Sequence, residues 1–139
     1  MATDSKHANA AERQMTDKAA TILCVDDEEP GLVVRKILLE QAGYHVLTAR
    51  SGPEGIKLFK STPVDAVVLD YWMAGMNGVA VARELKRLDS GIPIIILSAY
   101  GTLLDETLGL AEVWIRKGEE DPQYLLAQLS ELLNRRKHE

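Results

Sequence analysis

The feature that most constrains this chain is a regular alternation of short apolar runs with longer amphipathic stretches, which begins at Thr21. Three of the apolar runs consist almost wholly of apolar residues, as expected of strands that helices cover on both faces. Alternation of this kind indicates βα units on a parallel sheet. The predicted strands are Thr21–Val25, Tyr44–Ala49, Ala66–Leu69, Ile94–Leu97 and Val113–Arg116.

The stretches between the strands predict four helices, and a fifth helix is predicted after the last strand. On the first helix, Val33, Ile37 and Leu38 are predicted to share one apolar face, and Gly43 ends the helix. Strict alternation of five strands with five helices predicts an α/β doubly wound fold. The predicted helix starts are Pro30-Gly31, Ser51 with Pro53 in its first turn, Gly78, and Asp121-Pro122.

Length and composition predict one folded domain. The chain has 139 residues, of which 46% are hydrophobic and 27% charged, as in ordinary globular domains. We expect residues 1–20 to form a flexible tail and residues 21–139 to form the domain. The net charge of −5 gives no support to a nucleic-acid-binding surface. No apolar run is long enough for a membrane span or a signal peptide, so the expected location is the cytoplasm.

Polar side chains follow four of the five predicted strands. Asp26 and Asp27 come after the first strand, Asp70 after the third, Ser98 after the fourth and Lys117 after the fifth. In doubly wound folds, ligands bind outside the carboxyl ends of the strands, near the point where the strand order reverses. These five side chains are therefore expected to converge on one rim of the sheet.

The three carboxylates predict a cation site. Three like charges at close range repel one another, and their pKa values rise unless a cation compensates. Mg²⁺ prefers oxygen ligands and commonly bridges one or two carboxylates to a phosphate, and Mn²⁺ is a substitute. Each residue also has a simpler explanation: acidic residues favour helix starts, Ser98 could be a polar strand end, and Lys117 a solvated lysine. The combination favours the cation site.

Together these residues resemble a known family. The segments Ile22–Glu28, Val67–Gly78 and Ile96–Ala99, with Lys117, look like the receiver domain (CheY-like) of two-component response regulators. The resemblance runs from about Thr21 to the end of the chain. It implies a flavodoxin-like fold, a five-stranded parallel sheet in the order 2-1-3-4-5 with helices on both faces. It also implies a signalling phosphoacceptor, which catalyses only its own phosphoryl transfer and dephosphorylation.

The resemblance assigns roles residue by residue. Asp70 matches the phosphoacceptor, Lys117 the lysine that pairs with the acceptor and then with the phosphoryl oxygens, and Ser98 the hydroxyl that turns inward to the phosphoryl group. Positioning and charge neutralisation of this kind are most of phosphoryl-transfer catalysis. The implied metal ligands are Asp27, Asp70, Asp26 largely through water, and the backbone carbonyl of Trp72.

Output is expected through a surface and a partner. Trp114 stands where the family has a switching aromatic, so Ser98 and Trp114 are expected to change the surface around the fourth helix and the fifth strand. The alternative is that Trp114 is plain core. The implied donor is a sensor histidine kinase or a phosphotransfer protein, and the target is a downstream protein. A phosphorylation-dependent dimer stays open, and no direct contact with nucleic acid or membrane is expected.

Several positions depart from the family pattern. Ala74 and Gly118 stand where the family usually has proline, the second after a cis peptide bond that is costly before glycine. The segment between Ser98 and Lys117 is a few residues short, which predicts a truncated or displaced fourth helix. Trp72 and Tyr100 border the expected site, and our hypothesis is that they slow hydrolysis of the acyl phosphate. The alternative is that they have no kinetic role.

Three other functions fit these residues less well than a receiver domain. A degenerate receiver acting as a fixed scaffold would explain Gly118 and the short segment, but not the retained acidic residues. An aspartate-nucleophile phosphohydrolase usually has a second Asp two residues after the first, where this chain has Trp72. A flavin-binding domain would need a Ser/Thr/Gly-rich phosphate loop after the first strand, and the acidic run at 26–29 would repel that phosphate.

Overall fold

The computed structural model of the chain describes residues 19–73, 75–98, 109–117 and 121–137. Within these ranges the structure describes five strands and four helices. The elements are β1 (Thr21–Val25), α1 (Glu29–Gln41), β2 (His45–Ala49), α2 (Gly52–Ser61), β3 (Ala66–Asp70), α3 (Gly78–Leu88), β4 (Ile94–Ser98), β5 (Val113–Arg116) and α4 (Pro122–Lys137).

The strands form one parallel sheet in the order β2-β1-β3-β4-β5, which confirms the predicted fold. Strand β1 pairs with a strand on each side, and its Cys24 lies opposite Thr48 of β2 and Val68 of β3. The strand order reverses between β1 and β3. The carboxyl ends of these two strands therefore border the crevice in which such folds bind ligands.

Alternate strand residues build two hydrophobic layers. On one face Leu23 and Val67 pack with α2 and α3, and on the other Ile22 and Ala66 pack with α1 and α4. The strands β3 and β4 are buried along their whole length, as their apolar sequences indicated. Two covered faces leave the rims of the sheet as the places where polar groups can gather.

The apolar face of α1 was predicted wrongly. Val33 and Ile37, expected on a shared apolar face, are 47% and 50% exposed. The helix instead buries Leu32, Arg35 and Leu39. The pattern misled because the buried stripe contains a charged residue, Arg35, whereas Val33, Ile37 and Leu38 are all apolar. The sequence therefore offered a more continuous apolar stripe on the wrong side of the helix.

Side chains and glycines set the helix ends. Ser51 caps α2 as predicted, since its hydroxyl accepts the N–H of Glu54 at 3.2 Å. Asn77 caps α3 in the same way, accepting the N–H of Ala80 at 3.0 Å. Gly43, at a φ of 100°, ends the turn after α1 in a conformation that side chains rarely adopt. Each strand boundary agrees with the prediction to within one residue.

Some predictions fall outside the described residues. These are most of the tail at 1–20, the helix between β4 and β5, Ala74, Tyr100 and the peptide bond between Lys117 and Gly118. In the part of the chain that the structure describes, no helix combines the length and apolarity needed to cross a membrane.

Candidate functional site

Three carboxylates meet at the carboxyl ends of β1 and β3. Oxygens of Asp26, Asp27 and Asp70, one from each, lie within 4.8 Å of one another. Asp26 and Asp70 are buried, and Asp27 is partly exposed. The structure therefore brings together the three carboxylates that the sequence singled out. Such a group of oxygens could hold a metal ion, and hard oxygen ligands at this spacing suit Mg²⁺ or Mn²⁺.

Lys117 connects the carboxylates to one another. Its ammonium nitrogen lies 3.2 Å from Asp70 Oδ1 and 3.2 Å from Asp26 Oδ2. A third carboxylate, Glu28 Oε1, lies 3.3 Å from the same nitrogen. Lys117 therefore partly neutralises a region that holds four carboxylates, including Asp27.

The buried position of Asp70 changes its acidity. Desolvation raises the pKa of Asp70 from 3.8 to about 6, and repulsion from Asp26 adds to the rise, although Lys117 opposes it. Partial burial alone would lower the pKa of Lys117, but attraction to Asp26 and Asp70 outweighs it, so the pKa of Lys117 is raised. At neutral pH the pair is thus a carboxylate beside an ammonium. The site disfavours the charged form of Asp70 and favours the charged form of Lys117.

Backbone contacts hold the acidic residues in place. The N–H of Asp26 continues the β1–β2 ladder by donating to the carbonyl of Ala49 at 3.1 Å. Behind Asp70, the N–H of Gly78 donates to the carbonyl of Tyr71 at 2.8 Å. A Cβ at Gly78 would lie 2.6 Å from the Asp70 carbonyl oxygen, so only glycine allows this approach. The start of α3 therefore supports the backbone that carries Asp70.

The ends of β4 and β5 place the other two predicted residues. Ser98 is buried at the end of β4, opposite Arg116. The N–H of Lys117 donates to the carbonyl of Ser98 at 2.6 Å, which extends the ladder by one residue. The sheet itself therefore brings Lys117 to the carboxylates.

An aromatic group flanks the site. The rings of Tyr71 and Trp114 lie 6.0 Å apart between centroids, and Tyr71 also meets Trp72 edge-on at 5.6 Å. Trp114 is partly buried in the core layer of α2 and α3, whereas Trp72 is 57% exposed. Sequence reasoning placed both tryptophans near the site but missed Tyr71, which connects them.

The carboxylates open into a cleft of about 570 Å³, a volume that admits a phosphoryl group. The cleft is bordered by acidic residues, by the lysine and by one side of Trp72. Its lining residues are Asp27, Glu28, Asp70, Trp72, Met73, Gly75 and Lys117.

Sequence reasoning missed two charged members of the site. Arg35 lies on the buried face of α1, and its Nη1 is 3.3 Å from Asp26 Oδ2. Glu28 was not among the predicted site residues, yet it contacts Lys117. A signal for Arg35 existed, since it lies three and four residues from Leu32 and Leu39 on one helix face. The spacing alone did not show that this face is the buried one.

Comparison with known proteins gives a consistent result. Residues 22–112 match the family model described as the response regulator receiver domain. A receiver domain from Clostridium thermocellum has 34% identity and a TM-score of 0.79, covering 85% of this chain and 97% of that one. The response regulator TrrA from Thermotoga maritima, in complex with Mg²⁺ and BeF, has 32% identity and a TM-score of 0.76, covering 81% of this chain and 98% of that one.

Curated relatives are longer than this chain. The transcriptional regulatory protein GlrR of Escherichia coli is 37% identical over 91 residues, which are 66% of this chain and 20% of that protein. The response regulator SaeR of Staphylococcus aureus is 36% identical over 120 residues, which are 84% of this chain and 51% of that protein. The chain therefore spans about a fifth to a half of the length of such relatives.

Proposed function

This chain belongs to the response regulator receiver domain family, and from that premise we propose that Asp70 is its phosphoacceptor. The domain is a phosphoacceptor of two-component signalling. The observation that carries the assignment to Asp70 is the ammonium of Lys117, 3.2 Å from Asp70 Oδ1 at the edge of an open cleft. Asp70 is the buried carboxylate that both borders the cleft and contacts this cation.

The proposed reaction is a displacement at phosphorus. A carboxylate oxygen of Asp70 forms the new O–P bond, and the bond between phosphorus and the donor's leaving atom breaks with its electron pair going to the donor. With a pKa of about 6, Asp70 is mostly ionised at neutral pH and available as the nucleophile. Lys117 then balances the charge on the transferred oxygens.

We assign the metal to Asp27 and Asp70, with Asp26 acting largely through water and the carbonyl of Trp72 as a further ligand. Mg²⁺ bound there would supply positive charge to the phosphoryl oxygens. The residues suit Mg²⁺, because one oxygen from each of the three carboxylates lies within 4.8 Å of the others, so that a single ion could contact all three. The negative charges of the site also outnumber its cations.

We further propose that Ser98 and Trp114 carry the switch. Ser98 is the neighbour of Lys117 on the sheet, and phosphoryl oxygens at Asp70 would be new acceptors for its hydroxyl. Trp114 packs on Tyr71, the residue after Asp70, so movement near Asp70 reaches this ring directly. The surface around β5 and the segment before it would then change for a downstream partner.

Trp72 and Tyr100 are proposed to shield the acyl phosphate from water. Trp72 borders the cleft and remains more than half exposed, so its ring is available to cover a group on Asp70. Replacing both aromatics by alanine is expected to speed loss of the phosphate several-fold. An unchanged half-life of the phosphoprotein would contradict this role.

Membership of the receiver domain family implies a phosphodonor partner. A sensor histidine kinase or a phosphotransfer protein is proposed as donor, in the cytoplasm, with output through a partner protein.

The test is tryptophan fluorescence during titration with Mg²⁺ and then beryllofluoride, a phosphoryl mimic. Trp72 and Trp114 lie close enough to Asp70 to report. We expect a saturable change that needs Mg²⁺ and is lost in Asp70→Asn. Mass spectrometry after incubation with a small-molecule phosphodonor should show one added phosphoryl group on the unchanged chain and none on Asp70→Asn. No response in either measurement would favour a scaffold without phosphotransfer.

A further inference from the structure

Arg35 is a buried cation that packing does not explain. Arg35 is 8% exposed and lies between Leu32 and Leu39 on the face of α1 that covers the sheet. Taking a guanidinium out of water costs several kcal/mol, and replacing a buried ion pair by apolar residues is often neutral or stabilising. A leucine would serve this face at least as well, so the charge itself needs an explanation.

The contact of Arg35 is with the least accessible carboxylate of the site. Its Nη1 lies 3.3 Å from Asp26 Oδ2, the oxygen that also lies 3.2 Å from the Lys117 ammonium. The other oxygen of Asp26, Oδ1, accepts the N–H of Glu28 at 2.9 Å. Both oxygens of Asp26 are therefore occupied by donors of the protein, two of which are cations.

Only some of the carboxylates of the site line the cleft. Asp27 and Asp70 are among its lining residues, whereas Asp26 and Arg35 are not. Arg35 thus approaches the acidic cluster from behind, on the helix side. It neutralises charge without occupying the space into which Asp27 and Asp70 open.

We propose that Arg35 is a positioning residue that acts as a resident counter-cation: it holds Asp26 in the protein's own hydrogen bonds and thereby weakens the site's affinity for Mg²⁺. This inference rests on the proposed function. With Arg35 and Lys117 in place, the four carboxylates keep two unbalanced negative charges, which one divalent ion cancels. Without Arg35 the negative charge is larger and Asp26 has one cationic partner fewer.

The test is the dissociation constant for Mg²⁺ alone, measured by tryptophan fluorescence and by calorimetry at 0.15 M salt. Arg35→Met is expected to bind Mg²⁺ about five- to tenfold more tightly than the unchanged protein. Arg35→Gln, which keeps a polar contact and removes the charge, should move in the same direction. Arg35→Lys should restore the original constant, which loss of packing alone would not explain.

Lys36→Met is the matched control. Lys36 is the next residue on α1 and pairs with Glu40 at 3.1 Å on the exposed surface. Its loss removes the same net charge away from the site, so we expect less than a twofold change.

Three outcomes would count against the inference. Equal affinities in Arg35→Met and Lys36→Met, or weaker binding in both Arg35→Met and Arg35→Gln, would overturn it while leaving the proposed function in place. No saturable Mg²⁺ binding by the unchanged protein would overturn the proposed function as well. If Arg35→Met does not fold, judged by circular dichroism, Arg35→Gln decides the result.

Discussion

The two rims of the sheet differ in how many hydrogen-bond donors and cations their carboxylates have. At the rim where the strands begin, Glu112 and Asp89 each have donors of their own: Glu112 accepts from Lys86 and from the N–H of Ile94, and Asp89 accepts from Arg136. At the rim where the strands end, the carboxylates outnumber the cations, and Lys117 is shared among three of them.

The pKa values of one carboxyl group at each rim are shifted in opposite directions. At the first rim, the hydrogen bond from Arg136 holds the pKa of Asp89 below its usual value. At the second, burial and repulsion raise the pKa of Asp70. The first rim thus stabilises the fold, whereas the second keeps a charged group at a cost in stability, which is typical of functional sites.

Removing the central cation should have the largest effect. Lys117→Met is expected to lower the free energy of unfolding by about 2–3 kcal/mol at pH 7.5 without metal, because it leaves Asp70 buried without its cation. Lys86→Met, at the other rim, should cost about 1 kcal/mol, since Glu112 can turn to water. Urea unfolding in EDTA measures both. Equal losses would mean that the two rims do not differ.

The glycine behind the acceptor should come next. In Gly78→Ala the new Cβ meets the Asp70 carbonyl at 2.6 Å, so we expect a loss of about 1–3 kcal/mol and slower phosphorylation. Gly91→Ala is the control at the opposite rim, because its Cβ would find its nearest neighbour at 3.7 Å, an ordinary contact. We expect a change within about 0.5 kcal/mol there. A Gly78→Ala protein as stable as Gly91→Ala would show that the backbone near Asp70 yields easily.

Neutralising the acceptor should stabilise the fold. Because the pKa of Asp70 rises from 3.8 to about 6, the folded state holds this proton more tightly than the unfolded chain. The stability gained from that proton is complete below pH 3.8 and is lost as pH rises through about 6. Asp70→Asn should therefore be more stable by about 1–2 kcal/mol at pH 7.5 in EDTA, and nearly equal at pH 3.5. A gain that is independent of pH would contradict the titration of Asp70 as its cause.

The smallest effect should have the opposite sign. The pKa of Asp89 is lowered, so its contribution is present above the unfolded value of 3.8 and is lost as pH falls through the folded value. Asp89→Asn should be less stable at pH 7.5 by under about 1 kcal/mol, because this pair is partly exposed and screened. Thermal melts of Asp70→Asn and Asp89→Asn over the same pH range should show trends in opposite directions.

The sequence predicted the sheet and the converging carboxylates because both depend on local patterns. Apolar runs of strand length, followed by Asp26, Asp70 or Lys117, determine which residues reach the rim once the strands are parallel. The buried face of α1 depends instead on which of two apolar stripes meets the sheet. Arg35 could join the buried stripe only because Asp26, nine residues earlier in the chain, offers it a charged partner. A pairing between a strand end and a helix cannot be identified from the periodicity of the helix alone.

Strand β5 lies at the edge of the sheet and is held at both ends. Before it, Glu112 is tied to Lys86 and to the backbone of Ile94, and after it, Lys117 is tied to Ser98 and to the carboxylates. Amide hydrogens of edge strands exchange with solvent through local opening. A strand anchored at both ends opens as one unit, so the cost of opening includes the contacts of Lys117. The amide hydrogen-exchange rate of Val113–Arg116 should therefore depend on the charge at Asp70, through the contact between Asp70 and Lys117.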